Sequence, residues 1–156
     1  MATTMQANDA VFGGLAECYV TIDGSRYNMM QLYEFESTYE VNLVDVPILG
    51  RVTKGTKPAG GSGTWSGTAH YNQSVFRKWM LHYKNTGEMA PFTIQVTNSD
   101  PSSQAGRQTI ILTGCLIDSL ILAKYNADEE LLDEELSGTF DDWQMPESFA
   151  VMQGMQ

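Results

Sequence analysis

The stretch from Gly50 to Lys57 has the residue types closest to those of a ligand-binding motif. It reads G-R-V-T-K-G-T-K, and a phosphate-binding loop combines glycines, a lysine and a hydroxyl in a similar way. That motif needs a lysine directly after its second glycine, where this chain has Thr56, and a Ser or Thr at the next position, where it has Lys57. The stretch therefore indicates a flexible basic loop and not a phosphate site.

Metal and nucleophile chemistry lack a supporting pattern as well. His70 and His82 fall on different predicted elements, and Cys18 and Cys115 are far apart, so no zinc-ligand spacing is present. Each cysteine lies in an apolar, strand-like run, where a thiol commonly serves as a small hydrophobic group. No G-x-S-x-G nucleophile elbow occurs. We predict no cofactor, no metal and no enzymatic activity.

Acidic residues dominate the charge of the chain. It has 19 acidic and 9 basic residues, and its formal net charge is -10. Such a surface repels phosphates, which argues against specific nucleic-acid binding but not against a surface that DNA slides past. The acidic run from Asp128 to Glu135 lacks the spacing of a calcium loop and is predicted to be solvated.

The elements that carry these residues are mainly strands. At 156 residues the chain fits one domain, with no predicted signal peptide or membrane anchor. Period-two alternation predicts seven or eight strands, the last over residues 136–143, with two separate strands at 107–113 and 116–125. One face of apolar residues predicts a helix over 73–85, capped by Asn72 or Ser74 and ended by Gly87. The predicted fold is mainly β with one α-helix, a β-barrel or sandwich.

The clearest strand runs from Tyr33 to Leu43. Its odd positions are mostly aromatic or aliphatic, and its even positions carry Glu34, Glu36 and Glu40. After it, residues 45–63 are rich in glycine and include Arg51, Lys54 and Lys57, which predicts a projecting arm loop. The predicted domain covers residues 13–145, between an N-terminal segment (1–12) and a loose C-terminal tail (146–156).

Several motifs, in a fixed order, resemble the tail tube protein family of contractile phage tails. This similarity includes the tail core proteins of PBSX-like prophages, clostridial phages and phage-tail bacteriocins. The motifs are V-P-I-L-G-R-V-T-K at 46–54, G-T-W-S-G-T-A-H-Y at 63–71, the helix that ends in a TG turn at 76–87, P-F-T-I-Q-V at 91–96, D-P-S-S at 100–103, G-R-Q-T at 106–109, and the segment 123–143 that ends in F-D-D-W. The resemblance spans residues 13–150.

The resemblance implies an assembly and its partners. Tail tube proteins form six-membered rings that stack into a tube, and strands from neighbouring subunits join around the lumen. The implied partners are the tail sheath, the tape measure protein, and the baseplate and terminator proteins. DNA passes through the lumen without specific binding. The implied location is a virion tail or a released tail-like particle that is assembled in the bacterial host cytoplasm.

Two surfaces follow as hypotheses about this assembly. Glu34, Glu36 and Glu40 are the candidates to line the lumen, where they would repel DNA phosphates. The arm is the candidate for contact with the adjacent ring. There Arg51, Lys54 and Lys57 would meet an acidic segment of another subunit, represented by Asp128, Glu129 and Glu130.

Three other interpretations remain open. The first is another tube-like component, such as a type VI secretion tube protein or a tail completion protein. The second is a monomeric ligand-binding β-barrel, which a size measurement would distinguish from a tube. The third is an enzyme, which has the least support because no catalytic constellation is present.

Overall fold

Alternating polar and apolar side chains give the chain eight strands, and a single run with helical spacing gives one α-helix. The computed structural model describes residues 4–151 and 155. Two short 3-10 turns, Ala7–Asp9 and Gly13–Leu15, precede the first strand. The elements are β1 (Ala16–Ile22), β2 (Ser25–Asn28), β3 (Leu32–Val46), β4 (Gly55–His70), α1 (Val75–Thr86), β5 (Phe92–Ser99), β6 (Arg107–Leu120), β7 (Asp133–Phe140) and β8 (Asp142–Glu147).

The strands form one folded sheet whose ends do not meet. The strand order is β2-β1-β5-β6-β7-β4-β3, with β8 paired to β6, and every pairing is antiparallel. Strand β6 belongs to two layers, since its first half pairs with β5 and β8 and residues 116–120 pair with β7. Because β2 and β3 do not pair with each other, a single chain is sandwich-like and not a closed barrel.

An aromatic cluster fills the space between the layers and fixes the helix. Phe92 lies at its centre, with ring centroids 6.1 Å from Trp65, 5.7 Å from Phe76 and 5.4 Å from Trp79. All four side chains are buried. The indole Nε1 of Trp79 donates a hydrogen bond to the Ala90 carbonyl at 2.9 Å. The helix therefore closes one opening of the sandwich with its own apolar face.

The predicted helix is confirmed, with its start two residues later than expected. Ser74 occupies the N-cap position but makes no side-chain cap bond. Gln73 satisfies the helix start instead, because its side-chain oxygen accepts a hydrogen bond from the Val75 N–H at 2.7 Å. Gly87 ends the helix with φ 75°, and its N–H bonds the Tyr83 carbonyl.

Two predicted strand boundaries were wrong. The two strands expected at 107–113 and 116–125 are one bent strand, β6, which passes through Gly114 at φ 67°. The glycine looked like a strand end, but its positive φ allows a bulge that lets the strand continue. The single strand expected at 136–143 is two, β7 and β8, separated at Asp141. The acidic run therefore supplies the first three residues of β7, Asp133 to Glu135.

The arm expected as a loop at 45–63 is a β-hairpin. Asp45 and Val46 end β3, and Gly55 to Gly63 belong to β4, so only residues 47–54 lie outside the ladder. Gly60, at φ 98°, accommodates a ladder irregularity, so the glycines that suggested a loop lie within a strand. The pairing of β4 with β7 ends at Gly63, so beyond that point β3 and β4 pair only with each other. From here on, the arm is residues 40–62, which comprise these two strand ends and the turn between them.

Two residues near the limits of the described chain, Phe12 and Ala150, lie beside the loop between β5 and β6. Asp100 accepts a hydrogen bond from the Phe12 N–H at 2.9 Å, and the Ala105 carbonyl accepts one from the Ala150 N–H at 2.8 Å. The described part of the expected loose tail is therefore tied down at Ala150, and β8 extends to Glu147. Residues 1–3 of the predicted N-terminal segment, and 152–154 and 156 of the tail, lie outside the described residues.

Candidate assembly surfaces

The three candidate lumen glutamates share one face of the sheet. Glu34, Glu36 and Glu40 are exposed, and each lies opposite a hydroxyl residue of β4. Those partners are Thr68, Ser66 and Ser62, in the same order. Because side chains alternate across a strand, Phe35 points to the other face, where its ring stacks on Trp65 at 6.2 Å. The predicted alternation of β3 is confirmed over this stretch.

The same polar face continues across β7 and the end of β6. Ser66 pairs with Ser137, whose hydroxyl donates a hydrogen bond to Asp118 at 2.8 Å, and Thr68 pairs with Glu135. The segments that build this four-stranded layer are 34–40, 62–68, 133–140 and 116–120, and they contain no Lys, Arg or His. The face therefore carries mainly hydroxyls and carboxylates, and these segments add no positive charge to it.

The alternation of β3 fails at its first residues. A register shift between Leu32 and Glu34 turns Tyr33 away from the Phe35 face. The Tyr33 hydroxyl donates a hydrogen bond to Asp133 at 3.0 Å, and this bond is the largest of the effects that raise the pKa of Tyr33. His70 lies on the same carboxylate, with its Nδ1 3.0 Å from Asp133. These three polar groups bind the ends of β3, β4 and β7 together.

The candidate arm cations lie at or near the tip of the hairpin. Arg51 and Lys54 belong to the turn (residues 47–54), and Lys57 lies on β4. All three are exposed, and within residues 4–151 none takes part in an ion pair. The arm also exposes aliphatic side chains, with Leu49 and Val52 fully accessible to solvent.

The candidate acidic partners, Asp128, Glu129 and Glu130, are exposed in the segment between β6 and β7. Glu129 lies 3.8 Å from the Lys124 Nζ of its own chain. No ion pair among the described residues joins these carboxylates to the arm, so the structure does not bring the two candidate sets together within one chain.

Glu134 was expected to be solvated with the rest of the acidic run, and this prediction was wrong. Its side chain is 0% exposed and pairs with Arg77 of α1, which is 15% exposed. Gln73 donates a second hydrogen bond to the same carboxylate at 2.9 Å. Burial raises the pKa of Glu134, and Arg77 and Gln73 oppose that rise. The alternation of the strand could have revealed this burial, since Glu134 lies at even spacing from Leu136 and Phe140, which share the buried face of β7.

The remaining reactive groups offer little chemistry. Burial raises the pKa of both Cys18 and Cys115 to about 12, so neither thiol becomes a thiolate near neutral pH. Across the described residues, no cluster of three His, Cys, Asp or Glu side chains could hold a metal ion. Within the same residues, no helix is long and apolar enough to cross a membrane.

These features together describe a β protein with surfaces suited to association. Among the described strands the four-stranded layer has unpaired edges, one of its faces carries mainly hydroxyls and carboxylates, and a long hairpin extends beyond it. Unpaired strand edges of this length are normally covered in a native protein.

Comparison with known proteins agrees with this class. A family model described as "Phage tail tube protein" matches residues 3–147. The Phage-like element PBSX protein XkdM of Bacillus subtilis (strain 168) is 33% identical over 129 residues, which is 83% of this chain and 86% of that protein. YqbM of the same organism is 34% identical over 126 residues, covering 81% and 84%. This chain belongs to the phage tail tube protein family.

Solved structures share the fold at low sequence identity. A chain of the PVC extracellular contractile injection system, in the sheath–tube complex in its extended state, superposes with a TM-score of 0.66 at 10% identity, covering 89% of this chain and 93% of that one. A chain of the anti-feeding prophage baseplate gives 0.61 at 11% identity, covering 93% and 97%. The predicted fold class is therefore confirmed. Membership of the phage tail tube protein family gives the protein a structural role as a tail tube subunit.

Proposed function

We propose that this protein forms six-membered rings that stack into the hollow inner tube of a contractile phage tail or tail-like particle. The tube is a channel for DNA ejection or for puncture of a target envelope. The sheath would surround it, the baseplate and terminator would bind its ends, and the tape measure protein would lie inside it. Assembly would take place in the cytoplasm of the bacterial host.

The observation that supports this proposal most strongly is the pair of free edges on the polar layer. The layer runs β3-β4-β7-β6, and neither β3 nor residues 116–120 of β6 has a second neighbour among the described strands. A copy of the chain placed beside it can extend the layer at both edges, and a closed ring of copies leaves no edge exposed. The mainly polar face extends across all four strands, as a channel wall requires.

The charge of that face fits the passage of DNA. Glu34, Glu36 and Glu40 line it together with Glu135 and Asp118, and no cation accompanies them within the four segments. Repeated in every copy, these carboxylates produce a negative potential that repels phosphate and prevents adhesion to the wall. Hydroxyl side chains keep the same wall hydrated. We therefore place the lumen on this face.

A monomeric ligand-binding barrel is less consistent with the interior of the protein. The apolar pocket among Cys18, Val20, Met29, Phe35 and neighbouring side chains has a volume of about 10 Å³. Binding sites for small molecules usually occupy about 300–1,000 Å³. The space between the layers is filled by the protein's own aromatic side chains. The larger space beside it, of about 790 Å³, is an open cleft lined by polar as well as apolar residues and not an enclosed barrel interior.

Electron microscopy of the purified, concentrated protein, alongside size-exclusion chromatography, tests the proposal. We expect stacked rings or hollow tubes, formed spontaneously or after addition of baseplate seeds. A control variant removes the arm. Glu40 and Ser62 are register partners, so an Asn-Gly turn can replace residues 41–61 without disturbing the four-stranded layer. We expect this variant to fold and to form no tubes, because copies without the arm lack the contact to the adjacent ring. A wild-type protein that remains monomeric even with seeds would contradict the proposal.

A further inference from the structure

We propose that the arm tip of one copy docks in a groove beside the start of β3 on a second copy. This inference rests on the proposed function, and it assigns the arm a different acceptor from the acidic segment at 128–130. It follows from the chemistry of the groove, the chemistry of the tip and the reach of the arm.

The groove is an open cleft of about 790 Å³ at the unclosed side of the sandwich. Strands β1 and β5 form one wall, and the residues that lead into β3 form the other. Its lining includes the apolar residues Met30, Leu32, Phe35 and Val96 and the exposed carboxylate of Glu17. Met30 is 85% exposed, so its side chain is uncovered in the isolated chain.

The arm tip has the complementary composition. Leu49 and Val52 are fully exposed aliphatic side chains, with Arg51 between them and Lys54 two residues further on. The two aliphatic groups suit the apolar part of the cleft, and the positive charges beside them are opposite in sign to its carboxylate. Docking would remove apolar surface of both partners from water, which is the main favourable term in protein association.

The length of the arm excludes docking within the same chain. Leu32 to Phe35 line the groove at one end of β3, and the turn follows the other end of the strand at Val46. Strand residues rise about 3.3 Å each, so the 12 steps from Glu34 to Val46 span about 40 Å. The tip therefore lies far from its own groove, and only a second copy can supply the acceptor.

The acidic segment is the competing acceptor for the same cations. It offers carboxylates beside exposed Leu131, but Glu129 is already engaged by Lys124 of its own chain. Two aliphatic side chains bury more apolar surface in a cleft than against a protruding segment, since a cleft covers them on several sides. The chemistry of the tip, which is apolar as well as basic, therefore favours the groove.

Disulfide trapping distinguishes the two acceptors. The test variant carries Val52→Cys with Met30→Cys, and the matched control carries Val52→Cys with Leu131→Cys. All three side chains are largely exposed, so the fold should tolerate each change. Tubes of each variant are oxidised mildly, and the joined peptides are identified by mass spectrometry. We expect at least about tenfold more product joining positions 52 and 30 than positions 52 and 131.

Exchanging the charges of the two surfaces tests the groove independently of disulfide trapping. Glu17→Lys places a cation in the groove, and it should raise the protein concentration needed for tube growth by about fivefold, as expected for one such charge pair. Adding Arg51→Glu to that variant should restore growth. Glu88→Lys, which changes an exposed carboxylate outside the groove by the same charge, should have little effect.

Failure of this inference and failure of the proposed function have different signatures. Normal wild-type tubes that give no 52–30 product, or more 52–131 product, would overturn the groove and leave the tube intact. Charge exchange without rescue would also overturn the groove. Absence of tubes from the wild-type protein, even with seeds, would overturn both.

Discussion

Removing the Arg77 guanidinium should destabilise the protein strongly, because it leaves a buried carboxylate without its counter-ion. Glu134 is 0% exposed, and in Arg77→Met its remaining described partner is the side chain of Gln73. Loss of one member of a buried ion pair typically costs about 3–5 kcal/mol. Because Arg77 itself is 15% exposed, we expect about 3 kcal/mol, which for a chain of this size lowers Tm by about 6–12 °C.

The pH dependence of this loss follows from the pKa of Glu134. Burial raises that pKa above its usual value of 4.5, and Arg77 opposes the rise, so the variant should show a higher pKa still. A raised carboxyl pKa means that the folded state binds the proton more tightly than the unfolded state. Stability of Arg77→Met should therefore increase as pH falls through the folded pKa towards 4.5. The Tm difference from wild type should narrow between pH 7 and pH 5.

Urea unfolding at concentrations too low for assembly provides the assay, with tryptophan fluorescence as the signal. The double variant Arg77→Met, Glu134→Gln removes the buried charge and keeps an acceptor for Gln73, so it should recover most of the loss. Lys78→Met, at the adjacent exposed position, should change stability by less than about 0.5 kcal/mol. A loss below about 1 kcal/mol for Arg77→Met at pH 7, or no recovery in the double variant, would refute this reasoning.

Three other predictions follow from close contacts and charges. A Cβ at Gly138 would overlap a backbone carbonyl of β6, so Gly138→Ala should cost about 3 kcal/mol in urea unfolding; near-native stability would contradict this. The Asp100 carboxylate accepts hydrogen bonds that lower its pKa, chiefly from Ser102, so hydrogen exchange should show the Phe12 amide protected at pH 5 and released only below about pH 3.8. Exchange of the Phe12 amide already above pH 5 would mean that the Asp100 carboxylate does not hold it. Glu36→Lys should slow DNA ejection, more at low salt than at high salt, whereas Glu88→Lys should not. Equal ejection rates in both variants would mean that Glu36 does not face the lumen.

Much of the fold could be predicted from local pattern. The alternation of β3 places its glutamates on one polar face, as the register with β4 confirms, because a half-buried strand has a strict period of two. The helix follows from Phe76 and Trp79 at helical spacing. Both signals are local, so a single sequence contains them.

The errors arose where tertiary context decides the outcome. Gly60, Gly61 and Gly63 resemble loop residues, yet a Cβ at position 61 would strike the Tyr39 ring and one at 63 the Phe140 ring. These glycines leave space for aromatic side chains within a ladder, which only the paired structure reveals. Glu134 resembles its solvated neighbours until Arg77, 57 residues away, is placed beside it. No local pattern encodes such pairings.

The position of the arm at one end of β3 gives the subunit a direction. In the stack proposed above, the arm and the groove are different surfaces, so copies that join through them associate head to tail, and such contacts generate an open stack. One terminus of the stack then presents free hairpins, and the opposite terminus presents vacant clefts. A subunit that arrives from solution meets a different surface at each terminus, so growth rates there should differ. The proteins that start and stop the stack must likewise recognise unlike surfaces, and a single cap cannot serve both.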